Sequence, residues 1–235
     1  MGTVVQSVAS SAAAGPTTVC VMPSNVTAGN LLVIMTGHIG GNECNAGSGN
    51  AVYTDTRGLT YTALVAGQNV NGAQSNCCII TAPITSSGPQ TITRTIASSN
   101  YPNSMWAVEV SGVSSLATAA VNASFADFVL TINTGNVTSA AADLLILACA
   151  AHNGTPPFDS VSPTGSASNF PANGVQAGMI QFAAAGTYSA TFGKPGASGR
   201  FSACIALLSY TPAAQQYGIA GTAAAVGTGQ KGCAI

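Results

Sequence analysis

Thr91-Ile92-Thr93-Arg94-Thr95-Ile96 is the stretch that decides the fold. Its apolar side chains alternate with polar ones, which is the period of a β-strand with one buried and one solvated face. Similar short runs of Val, Ile, Thr, Tyr and Phe recur along the chain, each bounded by Gly, Pro, Asn or Ser. Leu31–Met35 and Leu144–Leu147 are continuous apolar runs, typical of strands that are covered on both faces.

Evidence for helices is weak, because the Ala-rich stretches are broken by Gly, Ser and Thr. One helical turn at Ser115–Ala120 competes with a weak strand over Thr118–Ala123. The pattern predicts an all-β fold, an antiparallel β-sandwich or jelly roll, with residues 1–210 forming one domain. Residues 211–235 are rich in Ala, Gly and Thr, and we predict an extended C-terminal arm or a disordered tail there.

The chain contains one internal similarity. Gly29–Ile34 followed by His38 resembles Ala142–Leu147 followed by His152, since each is a small or polar pair, a double Leu, an apolar strand and a late histidine. We interpret these segments as two topologically similar central strands and not as a gene duplication, because we find no further repeat.

Charged residues make up only 5% of the 235 residues, against about 25% in an ordinary soluble domain. Six acids and five bases give a net charge of −1. Nucleic acids and anionic membranes both bind clustered Lys and Arg, so this composition argues against both partners.

No apolar run reaches the length that a membrane-spanning helix needs. The first residues lack a signal-peptide pattern, so we expect synthesis in the cytoplasm.

Seven cysteines are present, and none forms a C-x-x-C pair. Three of them lie in apolar runs and are predicted to be buried as small apolar side chains, namely Cys20, Cys149 and Cys204. Cys44 lies in a Gly/Asn-rich loop, whereas Cys77 and Cys78 begin a strand. A disulfide between Cys44 and either Cys77 or Cys78 is the alternative if the chain matures in an oxidising medium.

Candidate metal ligands are few. His38 and His152 are the only histidines, and both follow apolar strands. If those strands were neighbours, the two histidines could bind a metal together with Asp55 or Glu43. Our preferred interpretation is two loop histidines at the rim of a sheet, and we predict neither a metal nor a cofactor.

Glu109 is a carboxylate in the middle of a strand, so it needs a partner. We predict a structural cross-strand pair with Arg94, whose strand precedes it and would form a hairpin with it. A glycosidase needs two facing carboxylates, and no second acid is placed to serve, so we predict that the chain is not an enzyme. Four segments match the glycosylation pattern, which richness in Asn, Ser and Thr alone explains: Asn25-Val26-Thr27, Asn122-Ala123-Ser124, Asn136-Val137-Thr138 and Asn153-Gly154-Thr155.

Four segments together resemble a broad group of β-sandwich proteins that are phage-associated or lie on bacterial surfaces and have a laminin-G/concanavalin-like jelly roll. The segments are Pro23–Leu32, Tyr53–Tyr61, Val108–Val113 and Ala142–Leu147. The resemblance covers residues 3–210. It implies a sandwich on a virion or an extracellular surface, and it transfers no catalytic residue.

We predict a non-enzymatic structural subunit of an extracellular assembly, namely a phage virion decoration, tail or fibre protein. It would associate with copies of itself and with other virion or surface-assembly proteins through sheet edges and terminal arms. Within the C-terminal arm, the assembly contacts would be Tyr217, Ile219 and Val226. The alternatives are a bacterial or archaeal surface-filament subunit and a carbohydrate-binding module with glycans as partners. Candidate sugar-stacking residues are Tyr53, Tyr61, Tyr101, Trp106 and Phe158.

Overall fold

Two groups of strands follow one another along the chain in the computed structural model. The structure describes residues 2–12, 15–39, 51–68, 75–96, 102–152, 158–165, 167–169, 176–194, 196 and 199–212. The first group is β1 (Thr3–Ala12), β2 (Thr17–Val21), β3 (Leu31–Ile39), β4 (Ala51–Asp55), β5 (Thr62–Gln68), β6 (Ser75–Pro83), β7 (Thr91–Ile96) and β8 (Asn103–Ser111). The second group is β9 (Val113–Val129), β10 (Thr131–Asn133), β11 (Val137–Ser139), β12 (Leu144–His152), β13 (Ser160–Ser162), β14 (Ala167–Asn169), β15 (Gln176–Ala183), β16 (Gly186–Tyr188), β17 (Thr191–Gly193) and β18 (Gly199–Pro212).

The described residues contain no helix, and every strand pairing is antiparallel, so the prediction of an all-β sandwich or jelly roll is confirmed. Of the two alternatives predicted for residues 115–123, the strand over Thr118–Ala123 is confirmed and the helical turn at Ser115–Ala120 is wrong, because β9 runs through both and pairs with β18. The residues of the predicted arm beyond Pro212 lie outside the described part of the chain.

Each group of strands is one long hairpin rolled onto itself. In the first half, β1 pairs with β8, β2 with β7 and β3 with β6. In the second half, β9 pairs with β18, β10 with β17, β11 with β16 and β12 with β15. First-with-last and second-with-next-to-last pairing is the order of a jelly roll. The region predicted as one sandwich is therefore built from two halves of the same topology.

The two halves stack as four layers. Inner sheet 1 has the order β1-β8-β3-β6-β5, and outer sheet 1 has the order β2-β7-β4. Inner sheet 2 has the order β14-β15-β12-β18-β9, and outer sheet 2 has the order β10-β17-β13. One apolar core fills each half between its outer and inner sheets, and a third core, the inter-half core, joins the two inner sheets. This arrangement explains why β3 and β12 are buried on both faces, as their continuous apolar runs predicted.

The internal similarity in the sequence marks equivalent strands, as predicted. β3 and β12 are the central strands of the two inner sheets, and His38 and His152 lie near their ends. The whole strand order also repeats between the halves, although the sequence shows no further long repeat. Val26 and Val137 occupy equivalent places in the two halves. Val26 forms an isolated bridge with Gly88 in the first half, and Val137 lies on β11, which pairs with β16 in the second half.

Candidate functional site

The predicted cross-strand pair of Arg94 and Glu109 is wrong. Arg94 lies on β7 in outer sheet 1, where it is in register with Thr18 and Tyr53. Glu109 lies on β8 in inner sheet 1, between β1 and β3. β7 and β8 therefore lie in different layers and do not pair as a hairpin.

Glu109 instead holds the first strand and a loop to inner sheet 1. Its carboxylate is fully buried, and Gln6 Nε2 donates a hydrogen bond of 2.6 Å to Oε2. Oε1 accepts hydrogen bonds from the Thr27 backbone N–H at 2.8 Å and from Asn30 Nδ2 at 2.6 Å. Gln6 Oε1 in turn accepts from the backbone N–H and the hydroxyl of Ser24, both at 2.9 Å. A buried carboxylate with three donors is a structural clamp, because its charge is compensated by hydrogen bonds within the fold.

Two buried basic residues occupy equivalent places in the two halves. Ile92 is in register with Cys20 on β2, and Phe192 is in register with Ile132 on the matching strand β10. Two residues after Ile92 lies Arg94, and two residues after Phe192 lies Lys194, both buried. Burial lowers the pKa of Lys194. Both cations end the same short pattern of Thr, an apolar residue, a small residue and a cation, in Thr91–Arg94 and in Thr191–Lys194, and this sequence signal was missed.

His152 is buried in the core of the second half. Its ring meets Phe158 edge-on, with 4.8 Å between ring centroids, and lies 6.0 Å from the ring of Phe201. Neither ring nitrogen has a hydrogen-bond partner among the residues that the structure describes. Burial, and then the positive charge of Lys194, lower the pKa of His152 to about 3, so the imidazole is neutral at physiological pH.

The two histidines belong to different halves and do not form a common site. His38 lies at the end of β3, and it is buried like His152. The expectation that both lie in loops at a sheet rim is wrong, because each belongs to the central strand of an inner sheet. Among the described residues, no group of three His, Cys, Asp or Glu side chains is placed to hold a metal ion.

The cysteines are distributed over two cores. Cys77 and Cys78 are neighbours on β6, so their side chains point to opposite faces. Cys77 lies in the inter-half core and Cys78 in the core of the first half. The prediction that Cys20, Cys149 and Cys204 are buried is confirmed. Cys44 lies outside the described residues, so its predicted bridge to Cys77 or Cys78 stays a prediction.

One edge strand of each inner sheet is long and nearly uncharged. β9 is an edge strand of 17 residues whose one charged residue is Asp127, and β1 is an edge strand of 10 residues without charge. On β9, Val121 and Phe125 point to the same face and are 44% and 55% exposed. Edge strands are usually protected by Lys, Pro or inward charges, and β9 has none of these in its exposed middle.

The aromatic residues considered for sugar stacking are mostly internal. Trp106 is buried in the inter-half core and Phe158 in the core of the second half. Tyr61 donates a hydrogen bond of 2.8 Å from its hydroxyl to Asp55 Oδ2, and its ring centroid lies 5.8 Å from that of Tyr53. Tyr101 lies outside the described residues, as do the predicted assembly contacts Tyr217, Ile219 and Val226.

Comparison of the chain with protein-family models, with curated proteins and with solved structures gives no match in any of the three. The resemblance to phage-associated and bacterial surface sandwiches therefore stays a prediction. In the part of the chain that the structure describes, no helix has the length and hydropathy of a membrane span.

Proposed function

We propose that the chain is a non-enzymatic structural subunit of an extracellular assembly, namely a phage virion decoration, tail or fibre protein. Copies of the chain would associate through the exposed edges of the inner sheets. The observation that carries this proposal is β9, a long edge strand that pairs only with β18 among the described strands and that carries the exposed side chains of Val121 and Phe125. Such an edge is a template for another strand unless a partner covers it.

The composition supports the same proposal. A surface wetted by Ser, Thr, Asn and Gln, with a net charge of −1, offers little repulsion between copies. The buried carboxylate of Glu109 holds β1 and a loop to inner sheet 1 through three hydrogen bonds, which is a structural role. Jelly rolls occur in viral capsid proteins, and this is support by analogy of fold alone.

The test is the oligomeric state of the purified full chain and of a charged edge variant. Light scattering and electron microscopy should show an assembly for the wild type. The double variant Val121→Lys/Phe125→Lys should dissociate it, because two lysines at the edge repel an incoming strand. Val52→Lys is the matched control, since Val52 is 55% exposed on outer sheet 1, away from β9.

Two outcomes would contradict the proposal. The first is a wild-type chain that stays monomeric at high concentration. The second is an assembly that survives both lysines on β9 while circular dichroism shows an intact β fold. An assembly in the form of long filaments without other components would favour the surface-filament alternative.

A further inference from the structure

Three thiols meet in the inter-half core, and we call them the thiol cluster: Cys77, Cys149 and Cys204. All three are fully buried. Cys77 belongs to β6 of the first half, whereas Cys149 and Cys204 are directly opposite each other on β12 and β18 of the second half. The cluster therefore lies where the two halves touch.

We propose that Cys77 and Cys204 form a disulfide that joins the two halves when the chain folds in an oxidising medium. Their sulfur atoms are 3.5 Å apart, and a disulfide brings them to about 2.05 Å. The two residues lie on facing strands of stacked sheets, and the inter-sheet bridge of immunoglobulin domains shows that such a span can be closed. The inference goes beyond the proposed function, because it concerns the joint within one chain and not the association of copies.

The neighbouring cysteines are less suited to this bridge. Cys78 points into the core of the first half, away from Cys204. Cys149 lies beside Cys204, but its thiol donates towards the Thr36 carbonyl oxygen at 3.6 Å. Cys77 donates towards the Cys149 carbonyl oxygen at 3.6 Å and is the thiol whose sulfur contacts Cys204 across the joint.

The oxidation needs an oxidant, and a low-molecular-weight disulfide such as oxidised glutathione supplies it. A thiolate of one cysteine attacks the glutathione disulfide, which gives a mixed disulfide and releases one glutathione thiol. The thiolate of the second cysteine then attacks the protein sulfur of the mixed disulfide and releases the second glutathione. Two cysteine thiols lose two protons and two electrons, and one glutathione disulfide becomes two thiols.

The bridge should form while the halves are docking and not afterwards. Burial raises the pKa of the Cys204 thiol well above its usual range, and the contact with Cys77 raises it further. Because the thiolate is the attacking species, a closed joint is oxidised slowly, and burial keeps an external thiolate away from the bridge once it has formed. The reduced and the bridged chain should therefore each persist once folded.

The experiment compares full-length chain refolded from denaturant with reduced glutathione alone or with a mixture of reduced and oxidised glutathione. Free thiols are then alkylated and the chain is digested with trypsin. Arginine and lysine positions separate the cysteines well: Cys77 and Cys78 fall in residues 58–94, Cys149 in residues 95–200 and Cys204 in residues 201–231. The expected product is peptide 58–94 joined to peptide 201–231, 2 Da lighter than the sum of the two reduced peptides.

Matched variants assign the bridge to one pair. Cys78→Ala should keep the linked peptides, because Cys78 faces the other core, whereas Cys77→Ala should lose them. The midpoint of thermal unfolding should rise on oxidation in the wild type and in Cys78→Ala, and should not rise in Cys204→Ala. Peptide 95–200 joined to 201–231 as the main product would overturn the proposal, as would full alkylation of Cys77 and Cys204 after oxidative refolding of chain with native circular dichroism.

Discussion

Gly37 offers the sharpest test of how the two halves pack. It lies on β3 in inner sheet 1 and faces inner sheet 2. A Cβ atom at this position would lie 2.5 Å from Gln176 Cβ, 3.1 Å from Gln176 Cα and 3.3 Å from Ala151 Cβ. All three atoms belong to inner sheet 2, and none is the end of a flexible side chain.

The sign of the effect of Gly37→Ala depends on that contact. At an open site, replacing Gly by Ala stabilises a protein by roughly 0.4–1 kcal/mol, because the unfolded chain loses freedom. Here the closest contact is about 1 Å short of ordinary van der Waals distance, so the two inner sheets must separate locally. Overpacking of this kind costs about 1–3 kcal/mol, and we expect a net loss of stability of about 1–2 kcal/mol.

Equilibrium unfolding in urea measures this difference. Trp106 is the only tryptophan of the chain and is buried in the inter-half core, so its fluorescence reports on the joint. Circular dichroism followed in the same titration reports on the strands as a whole. If Gly37→Ala unfolds at the same or a higher urea concentration than the wild type, with an unchanged slope, the stacking of the inner sheets described here is wrong.

Three further predictions use other parts of the chain. Glu109→Gln should lower the free energy of unfolding by about 2–4 kcal/mol in urea titrations, because an amide cannot accept all three hydrogen bonds. The control Asp143→Asn, in a half-buried loop, should change the free energy of unfolding little. The pKa of His152 is about 3 in the folded chain and about 6.5 in the unfolded chain. Between pH 6.5 and pH 3 only the unfolded chain binds a proton at this histidine, so the free energy of unfolding falls as the pH falls. His152→Phe should remove up to about 1.4 kcal/mol per pH unit of that slope, and equal slopes for both proteins would contradict the assignment. Deletion of residues 213–235, which leaves β18 intact, should abolish assembly in light scattering while preserving the β-type circular dichroism, and a truncated chain that still assembles would exclude the arm.

Local periodicity predicted the strands well, because alternation and continuous apolar runs depend on nearby residues. The double Leu of β3 and β12 even identified the two central strands. The division into two halves could not be predicted from a linker in the sequence. β8 ends at Ser111 and β9 begins at Val113, so one glycine, Gly112, is the whole connection. Its φ of 76° lies in the left-handed region that favours glycine, and a single residue leaves no compositional linker to recognise.

The candidate site depended on contacts that alternation cannot supply. The interpretation that Arg94 shares the solvated face with the threonines is wrong, because Arg94 alternates with Ile92 and Ile96 and is buried on their face. Alternation also could not tell that the strands of Arg94 and Glu109 belong to different layers. The contact between Cys77 and Cys204 joins residues that are 127 positions apart, and no local pattern encodes such a pairing. A comparison of Asn25-Val26-Thr27 with Asn136-Val137-Thr138 was a further signal of the repeat, because each precedes a double Leu after a short gap.

The repeat also determines which assemblies the exposed edges can build. β1 and β9 are equivalent first strands, and each lies at an edge of its inner sheet. If β9 of one copy pairs with β9 of another, the contact is isologous and growth stops at a dimer. If β9 of one copy pairs with β1 of the next, every copy keeps one edge available, so growth continues to a closed ring or to a fibre. Lysines on β9 should dissociate either form, whereas a lysine at the exposed Val5 of β1 should dissociate only the ring or the fibre. The oligomeric state of the Val5→Lys variant therefore distinguishes a dimer formed through two β9 strands from a ring or fibre formed through β9 and β1.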